Sequence, residues 1–440
     1  MFKTLQNAFK IKEIRTKLFF TFLMLIVIRL GSQLPVPGVN ASVFSDWFQN
    51  QFGDSAGLLS AFTGGSFEKM SLFALNITPY ITSSIIMQLL TIAIPKLEEM
   101  QKEGEDGRKK IASITRYVTV GLALIESTAM AIGFRNQGMM DQTVGAWGIV
   151  TVIAALTAGS AFLMWIGEQI TENGVGNGIS VVLTINIISR IPQDITGLYD
   201  QFIKGASSFA SSVLAAVIII AIIVGTVVLT VILGGGERRI PVQYAKKVQG
   251  RKIVGGQSSH IPLKVNTGGV IPIIFASSLM QLPIVISSFF KSSQTNNWWT
   301  KFLGMLNSGR WFSKETPINS IGVLIYIVLV VFFAYFYTSI TFNPLEVSEN
   351  MKKQGGFVPG IRPGKPTSEY LTKILNYIIF IGAIGLVIVA LIPLFFNGWF
   401  GADVSFGGTS LIIIVGVILE TMKQIESMML VRNYKGFLND

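Results

Sequence analysis

Ten stretches of this chain are too apolar for water and too numerous for a single core. They are Leu18–Leu34, Leu72–Ile94, Val118–Phe134, Trp147–Ile166, Gly178–Ile191, Val213–Leu233, Val270–Phe290, Ile321–Phe342, Ile374–Phe396 and Thr409–Met422. Most approach the ~20 residues that an α-helix needs to cross a bilayer. Backbone N–H and C=O groups cannot stay unpaired in hydrocarbon, so each is expected to be helical. The remaining composition agrees. Of 440 residues, 13% are charged, against about 25% in an ordinary soluble domain. Half are hydrophobic, and the mean hydropathy is +0.57. The chain therefore reads as an all-α polytopic membrane protein with ten transmembrane helices. Soluble enzyme, disordered scaffold and nucleic-acid factor are excluded as whole-chain readings.

Lys and Arg placement gives the orientation. Segments 1–17, 96–116, 167–177, 234–268, 343–373 and 423–440 would share one side and hold 26 basic residues. The other side holds 8, and Arg29 lies within the first span. Basic loops stay inside, so both termini are expected in the cytoplasm. The basic start and first apolar run look like a signal peptide. No small-x-small cleavage site follows, so Leu18–Leu34 is read as a retained span. Phe2, Leu5 and Phe9 recur at helical spacing among lysines, which predicts an amphipathic helix on the membrane surface over 1–17.

Ten spans divide into 18–191 and 213–422, with an external hinge loop at 192–212. Five spans per half make any repeat an inverted one. The fifth and tenth segments are the shortest, and the second and seventh carry early prolines, Pro79 and Pro272. Corresponding irregular segments in two halves usually line a transport path.

Little chemistry is available along that path. There are no cysteines and one histidine, His260. That removes disulfides, thiolate chemistry and His-ligated metal cages; no metal or other cofactor is expected. Ionisable residues within spans are few: Arg29, placed to snorkel, Glu126 in the third and Glu420 at the end of the tenth. Ion-coupled carriers usually hold more. An intramembrane protease needs a base near its nucleophile, and His260 lies in a loop. Gly174–Gly178 resembles a phosphate loop but follows no strand, so a flexible turn is the plainer reading. The long inner loops hold Arg238, Arg239, Lys246, Lys247, Arg251 and Lys252, and Lys352, Lys353, Arg362 and Lys365. They either fix orientation only or present a basic surface to a phosphate backbone or acidic partner.

Eight stretches carry a family resemblance: Phe73–Ile81, Ser84–Leu90, Gly167–Gly174, Gly176–Ser180, Pro262–Asn266, Gly269–Pro272, Phe357–Gly364 and Phe406–Ser410. In order and sequence the chain resembles the SecY family of protein-conducting channel subunits. The resemblance implies a clam shell of two inverted five-helix halves around an hourglass pore, with no catalysis of its own. It places a pore ring at Ile77, Ile81, Ile179, Leu183, Ile274 and Ile413. Ile77/Ile81 and Ile179/Leu183 are i, i+4 pairs, so each shares a helix face. It implies a plug, a short helix over Leu58–Leu72, with Gly64 and Gly65 as flexible backbone and Ser66, Glu68 and Lys69 suited to a wet cavity. It implies a lateral gate between the second and third helices and the seventh and eighth, with Gln88, Thr115 and Asn266 bonded across the seam. The basic loops would dock the ribosome and the SecA motor ATPase, Arg362 serving the motor and Arg251 and Lys252 a loop tip. SecE and SecG subunits, signal peptides, unfolded polypeptides and membrane lipid are the other implied partners, and a bacterial plasma membrane the implied location. An inverted-repeat secondary transporter for a small solute is the competing reading.

Overall fold

The computed structural model describes residues 2–52, 63–140, 145–204, 209–244, 247–249, 252–254, 258–289, 298–307, 311, 317–400 and 408–436. The chain enters through α1 (Phe2–Lys10), breaks at the extended Ile11, and continues as α2 (Lys12–Gly31). α1 is more than a surface helix. Its Ala8 is buried with Ile14, Val175, Met422 and Ile425, while Phe9 stays exposed. This docks the N-terminus onto the far end of the last helix.

The N-terminal part continues with α3 (Ala41–Phe52), α4 (Thr78–Ala93), α5 (Pro95–Lys102), α6 (Glu105–Asn136), α7 (Gly145–Asn173) and α8 (Gly178–Leu198). Pro79 and Pro95 occupy the first turns of α4 and α5, where a missing N–H costs nothing. The expected early proline of the second span therefore starts its helix rather than interrupting it. Between α4 and α5 the axis turns by 100°. A π-helical turn, Tyr199–Lys204, leads to α9 (Phe209–Gly235). The C-terminal part holds α10 (Ile271–Phe289), α11 (Trp298–Leu306), α12 (Ile321–Thr341), α13 (Pro344–Lys353), α14 (Lys365–Phe400) and α15 (Gly408–Gly436).

Each of the ten apolar segments coincides with a helix. Among the described residues, five helices are long and apolar enough to cross a membrane, or six if the bent α4–α5 pair counts as one. The others fall short for different reasons: α4 and the described part of α10 are too short, while α2 has charge inside it. α2 carries Lys12, Glu13, Arg15, Lys17 and Arg29. The expected brevity of the fifth and tenth segments is not observed. α8 has 21 residues and α15 has 29, because both continue as polar helix beyond their apolar runs.

The all-α expectation also needs amending. Strands β1 (Glu237–Tyr244), β2 (Lys247–Gln249), β3 (Lys252–Val254) and β4 (Ser258–Lys264) fill the 234–268 loop, and β5 (Gly356–Phe357) lies in 343–373. β4, β1 and β5 form one antiparallel sheet in that order, with Gln243 opposite Phe357. β1 alternates polar and buried positions. Ile240 and Val242 face an apolar cluster with Leu263, Val358, Leu371 and Leu375. The sheet thus joins the two basic loops and puts them on the same side of the molecule.

Candidate functional site

The largest apolar cluster lies at the centre of the helices. Ile77, Ile81, Leu183, Ile274 and Ile413 are buried members of it, and the half-buried Ile179 packs against it. Four chain regions, far apart in sequence, supply them: the start of α4 with the turn before it, α8, α10 and α15. α10 packs against both α4 and α6, and α8 packs against α15.

Local geometry explains the convergence. A Cβ at Gly178 would sit 1.8 Å from the Gly167 carbonyl oxygen, so α8 begins in direct backbone contact with α7. A Cβ at Gly167 would sit 3.4 Å from Ile179 Cγ1 and 3.6 Å from Ile77 Cδ1. That glycine is the notch against which the two isoleucines meet. Asn177 caps α8 by accepting from the Ile179 and Ser180 amides. The Gly174–Gly178 turn is fixed rather than flexible. Val175 N–H donates to Thr21 Oγ1 at 3.0 Å, Gly176 N–H to Gln424 Oε1 at 2.8 Å, and Gly178 N–H to Thr171 Oγ1 at 2.9 Å. With those donors taken by protein, the turn has no cradle for phosphate.

A polar layer borders the apolar cluster. Arg29 does not snorkel. Its guanidinium donates to Asn186 Oδ1, and Asn186 Nδ2 donates to Asn76 Oδ1 at 2.9 Å. Arg190 pairs with Glu68 at 2.7 Å and lies 3.9 Å from Asp194. Of the expected plug, Leu58 and everything to residue 62 lie outside the described residues. Gly64–Met70 runs as turns rather than helix, and Ser66 is buried. Glu68 and Lys69 have protein partners, Lys69 Nζ donating to Gln33 Oε1 at 3.1 Å. Gly64 is not simply flexible backbone. Its φ is +61°, and a Cβ there would lie 2.8 Å from Asn186 O and 3.0 Å from Arg29 Nη2. Both the left-handed backbone and the close approach require glycine. Leu72 is half-buried, and its backbone N–H donates to Leu34 O at 2.8 Å.

The seam residues are placed differently from expectation. Among the described residues no hydrogen bond joins Gln88, Thr115 and Asn266. The Thr115 hydroxyl donates to Ile111 O within its own helix at 2.9 Å, Gln88 Oε1 is buried without a partner, and Asn266 is half-buried. A threonine in a helix can reach its own i−4 carbonyl, and that local bond wins here.

Among the basic residues, Arg238 and Arg239 are exposed on β1. Arg239 Nε donates to Glu237 at 2.7 Å, and this bond holds the Glu237 carboxyl below its ordinary value. Arg362 is exposed in a turn between Gly360 (φ +81°) and Gly364 (φ +99°). The turn is pinned by Thr367 Oγ1 donating to Arg362 O and Ser348 Oγ donating to Gly364 O. Lys247 and Lys252 lie on β2 and β3, while Lys246 and Arg251 lie outside the described residues. Sequence reasoning missed the Arg29–Asn186–Asn76 chain and the role of Arg190. Buried amides inside an apolar helix were the available signal.

The SecY family model matches residues 71–422. The chain belongs to the SecY family. The protein translocase subunit SecY of Bacillus subtilis is 42% identical over 446 residues, covering all of both chains. Two solved structures share the fold at 18% identity and a TM-score of 0.60, each covering 94% of this chain and 92% of its own. One is a SecY protein whose plug domain is described as stabilising the closed state of the translocation channel. The other is Sec61 in the canine ribosome–channel complex from the endoplasmic reticulum. The chain is thus a multi-pass membrane protein of a family of translocase subunits.

Proposed function

We propose that this chain is the pore subunit of a protein translocase that passes unfolded polypeptides across the membrane and releases apolar segments sideways into it. Ten crossing helices in two inverted five-helix halves would surround a waist made by Ile77, Ile81, Ile179, Leu183, Ile274 and Ile413. The observation that carries this reading is that five of those side chains, from four separate chain regions, are buried in one apolar cluster, with Ile179 packed against it. Branched hydrocarbon at a constriction excludes water and hydrated ions when the path is empty. It also lacks the polar groups that would select among passing side chains, which suits a channel for arbitrary sequence. A carrier for a small solute would need a few convergent polar groups at this level to fix its ligand.

The plug segment closes one side of the waist, and the sideways exit runs between α4/α6 and α10/α12. The seam is held by apolar packing rather than by a hydrogen-bonded triad. The unpaired Gln88 oxygen makes its closed state less favourable than a fully satisfied seam would be. Arg238, Arg239 and Arg362, brought to one side by the β4–β1–β5 sheet, form the docking face for the ribosome and the SecA motor. SecE and SecG complete the complex. The basic loops set the orientation, with both termini in the cytoplasm of a bacterial cell.

A photoreactive amino acid at position 274, in reconstituted complex holding a stalled secretory polypeptide, tests the path. Crosslinking to the polypeptide is expected from position 274 and not from the exposed Leu324 on α12. Crosslinking from 324 alone, or equally from both, contradicts the proposal.

A further inference from the structure

α11 (Trp298–Leu306) is short and carries three aromatic residues, Trp298, Trp299 and Phe302. At ~100° per residue, these three and Leu306 fall within one arc of ~100°. The arc is covered differently along its length. Leu306 is buried in the central apolar cluster. Trp298 is 72% exposed, Trp299 39% and Phe302 36%. The three rings nonetheless form one set. Trp298 stands edge-on to Trp299 at 5.6 Å, and Trp299 tilts against Phe302 at 5.7 Å.

The C-terminal end of α11 is fastened to α12. Trp311 Nε1 donates to Met305 O at 2.7 Å, and the Trp311 ring lies 5.4 Å from Tyr326 on α12. Ser320 Oγ donates to Trp311 O at 2.6 Å. A Cβ at Gly322 would collide with both Met305 O and Trp311 Nε1, so α12 starts directly against the end of α11. α11 packs on α10 as well.

These contacts fix the height of α11. α12 opens one of the segments long and apolar enough to cross a membrane. Its exposed Ile321, Leu324, Val328 and Phe332 line up along one face, as lipid contact requires. Its far half packs with the sheet, Ala334 and Phe342 joining the cluster of Ile240 and Val242. Its 21 residues rise ~31 Å, and a hydrocarbon core is ~30 Å thick. The first turn of α12, and α11 with it, therefore stands at the membrane boundary remote from the basic sheet. An indole has an apolar body and a polar N–H, which suits that depth. Lysine also gathers there, and Lys301 is exposed on the same helix.

We propose that α11 is an interfacial anchor, with Trp298, Trp299 and Phe302 seated among phospholipids at the headgroup–acyl boundary of the leaflet opposite the basic sheet. The protein core covers the Leu306 end of the apolar arc, and lipid covers the Trp298 end. Because α11 is fastened to α12 and packs on α10, it sets the depth of that helix pair in the bilayer. The inference rests on α12 crossing the bilayer and adds where its entry end is held.

Depth-dependent quenching tests it. The chain has no native cysteine, so Trp298→Cys and Val328→Cys each give a single labelling site for an environment-sensitive fluorophore in the reconstituted complex. Three quenchers are compared: phospholipid with a nitroxide near the headgroup, phospholipid with a nitroxide near the chain end, and iodide in water. At 298 the shallow nitroxide should quench most, and at 328 the deep one should. Quenching at 298 by iodide with neither lipid overturns the anchor. Shielding at 298 from all three quenchers also overturns it, since a protein partner would then cover the face. A label at 328 that neither lipid quenches would overturn the crossing of α12 and the anchor with it. Adding Trp299→Ser and Phe302→Ser should lower shallow-lipid quenching at 298 and raise iodide quenching. An unchanged profile in the assembled variant would show that the aromatic set does not hold the helix in lipid. If that variant fails to assemble, the comparison of 298 with 328 decides alone.

Discussion

At the scale of single residues, function here depends on which side chains are left without chemistry. Ile77 and Ile413 are fully buried, and Ile81, Leu183 and Ile274 nearly so, as the proposed apolar waist requires. Arg29 shows the opposite case. A guanidinium near a helix end would ordinarily reach for water, yet here it turns inward to Asn186 because an amide acceptor waits one helix away. No spacing rule in the sequence announces that partner, since residues 29 and 186 are distant in the chain. Arg362 sits in the contrary setting, exposed on a pinned turn. Its replacement by Glu should therefore leave folding intact while reversing the charge offered to an acidic partner. Motor-driven secretion by Arg362→Glu complex in vesicles is expected to fall about tenfold or more, a loss of ~1.4 kcal/mol in docking. Normal secretion with normal assembly would remove Arg362 from the docking face.

At the scale of elements, helices were legible and their junctions were not. Each of the ten apolar runs fell on a helix, because burial in lipid leaves a continuous signal, and the shorter polar helices left none. The i, i+4 pairs Ile77/Ile81 and Ile179/Leu183 identified the faces that meet. The β4–β1–β5 sheet was invisible because its strands are short and half polar, and because β1 and β5 pair across more than a hundred residues of chain, Gln243 with Phe357. The lengths of α8 and α15 were underestimated because their apolar runs stop before the helices do. Glycine contacts were equally hidden: composition shows 44 glycines, and only the packed structure shows which ones are notches. Gly178 is the most consequential, with a Cβ position 1.8 Å from a backbone oxygen that cannot swing aside. Gly178→Ala should push α8 off α7 and carry Ile179 with it. The thermal midpoint of the purified complex is expected to fall, corresponding to about 1–3 kcal/mol of overpacking strain. An unaltered midpoint would mean the two helices can slide apart at no cost.

At the scale of the whole molecule, one arrangement links the parts. The helices converge on an apolar cluster, a polar layer borders it, and a basic sheet-bearing face gathers the two long loops on one side. On the proposed reading the waist separates the two sides of the membrane and the basic face receives the partners that supply energy. The family resemblance supplied the residues proposed for the waist and the docking face, and five of the six waist residues are buried in one apolar cluster. It left out the Arg29–Asn186–Asn76 chain, because amide-to-guanidinium chains leave no periodic trace in sequence. The central claim is that branched apolar side chains at the proposed waist keep ions out of the resting path. Ion conductance of vesicles containing the complex with Ile81→Gly and Ile274→Gly together measures this directly. The account predicts conductance well above that of the unmodified complex at equal protein density, and conductance indistinguishable from the unmodified complex would contradict it.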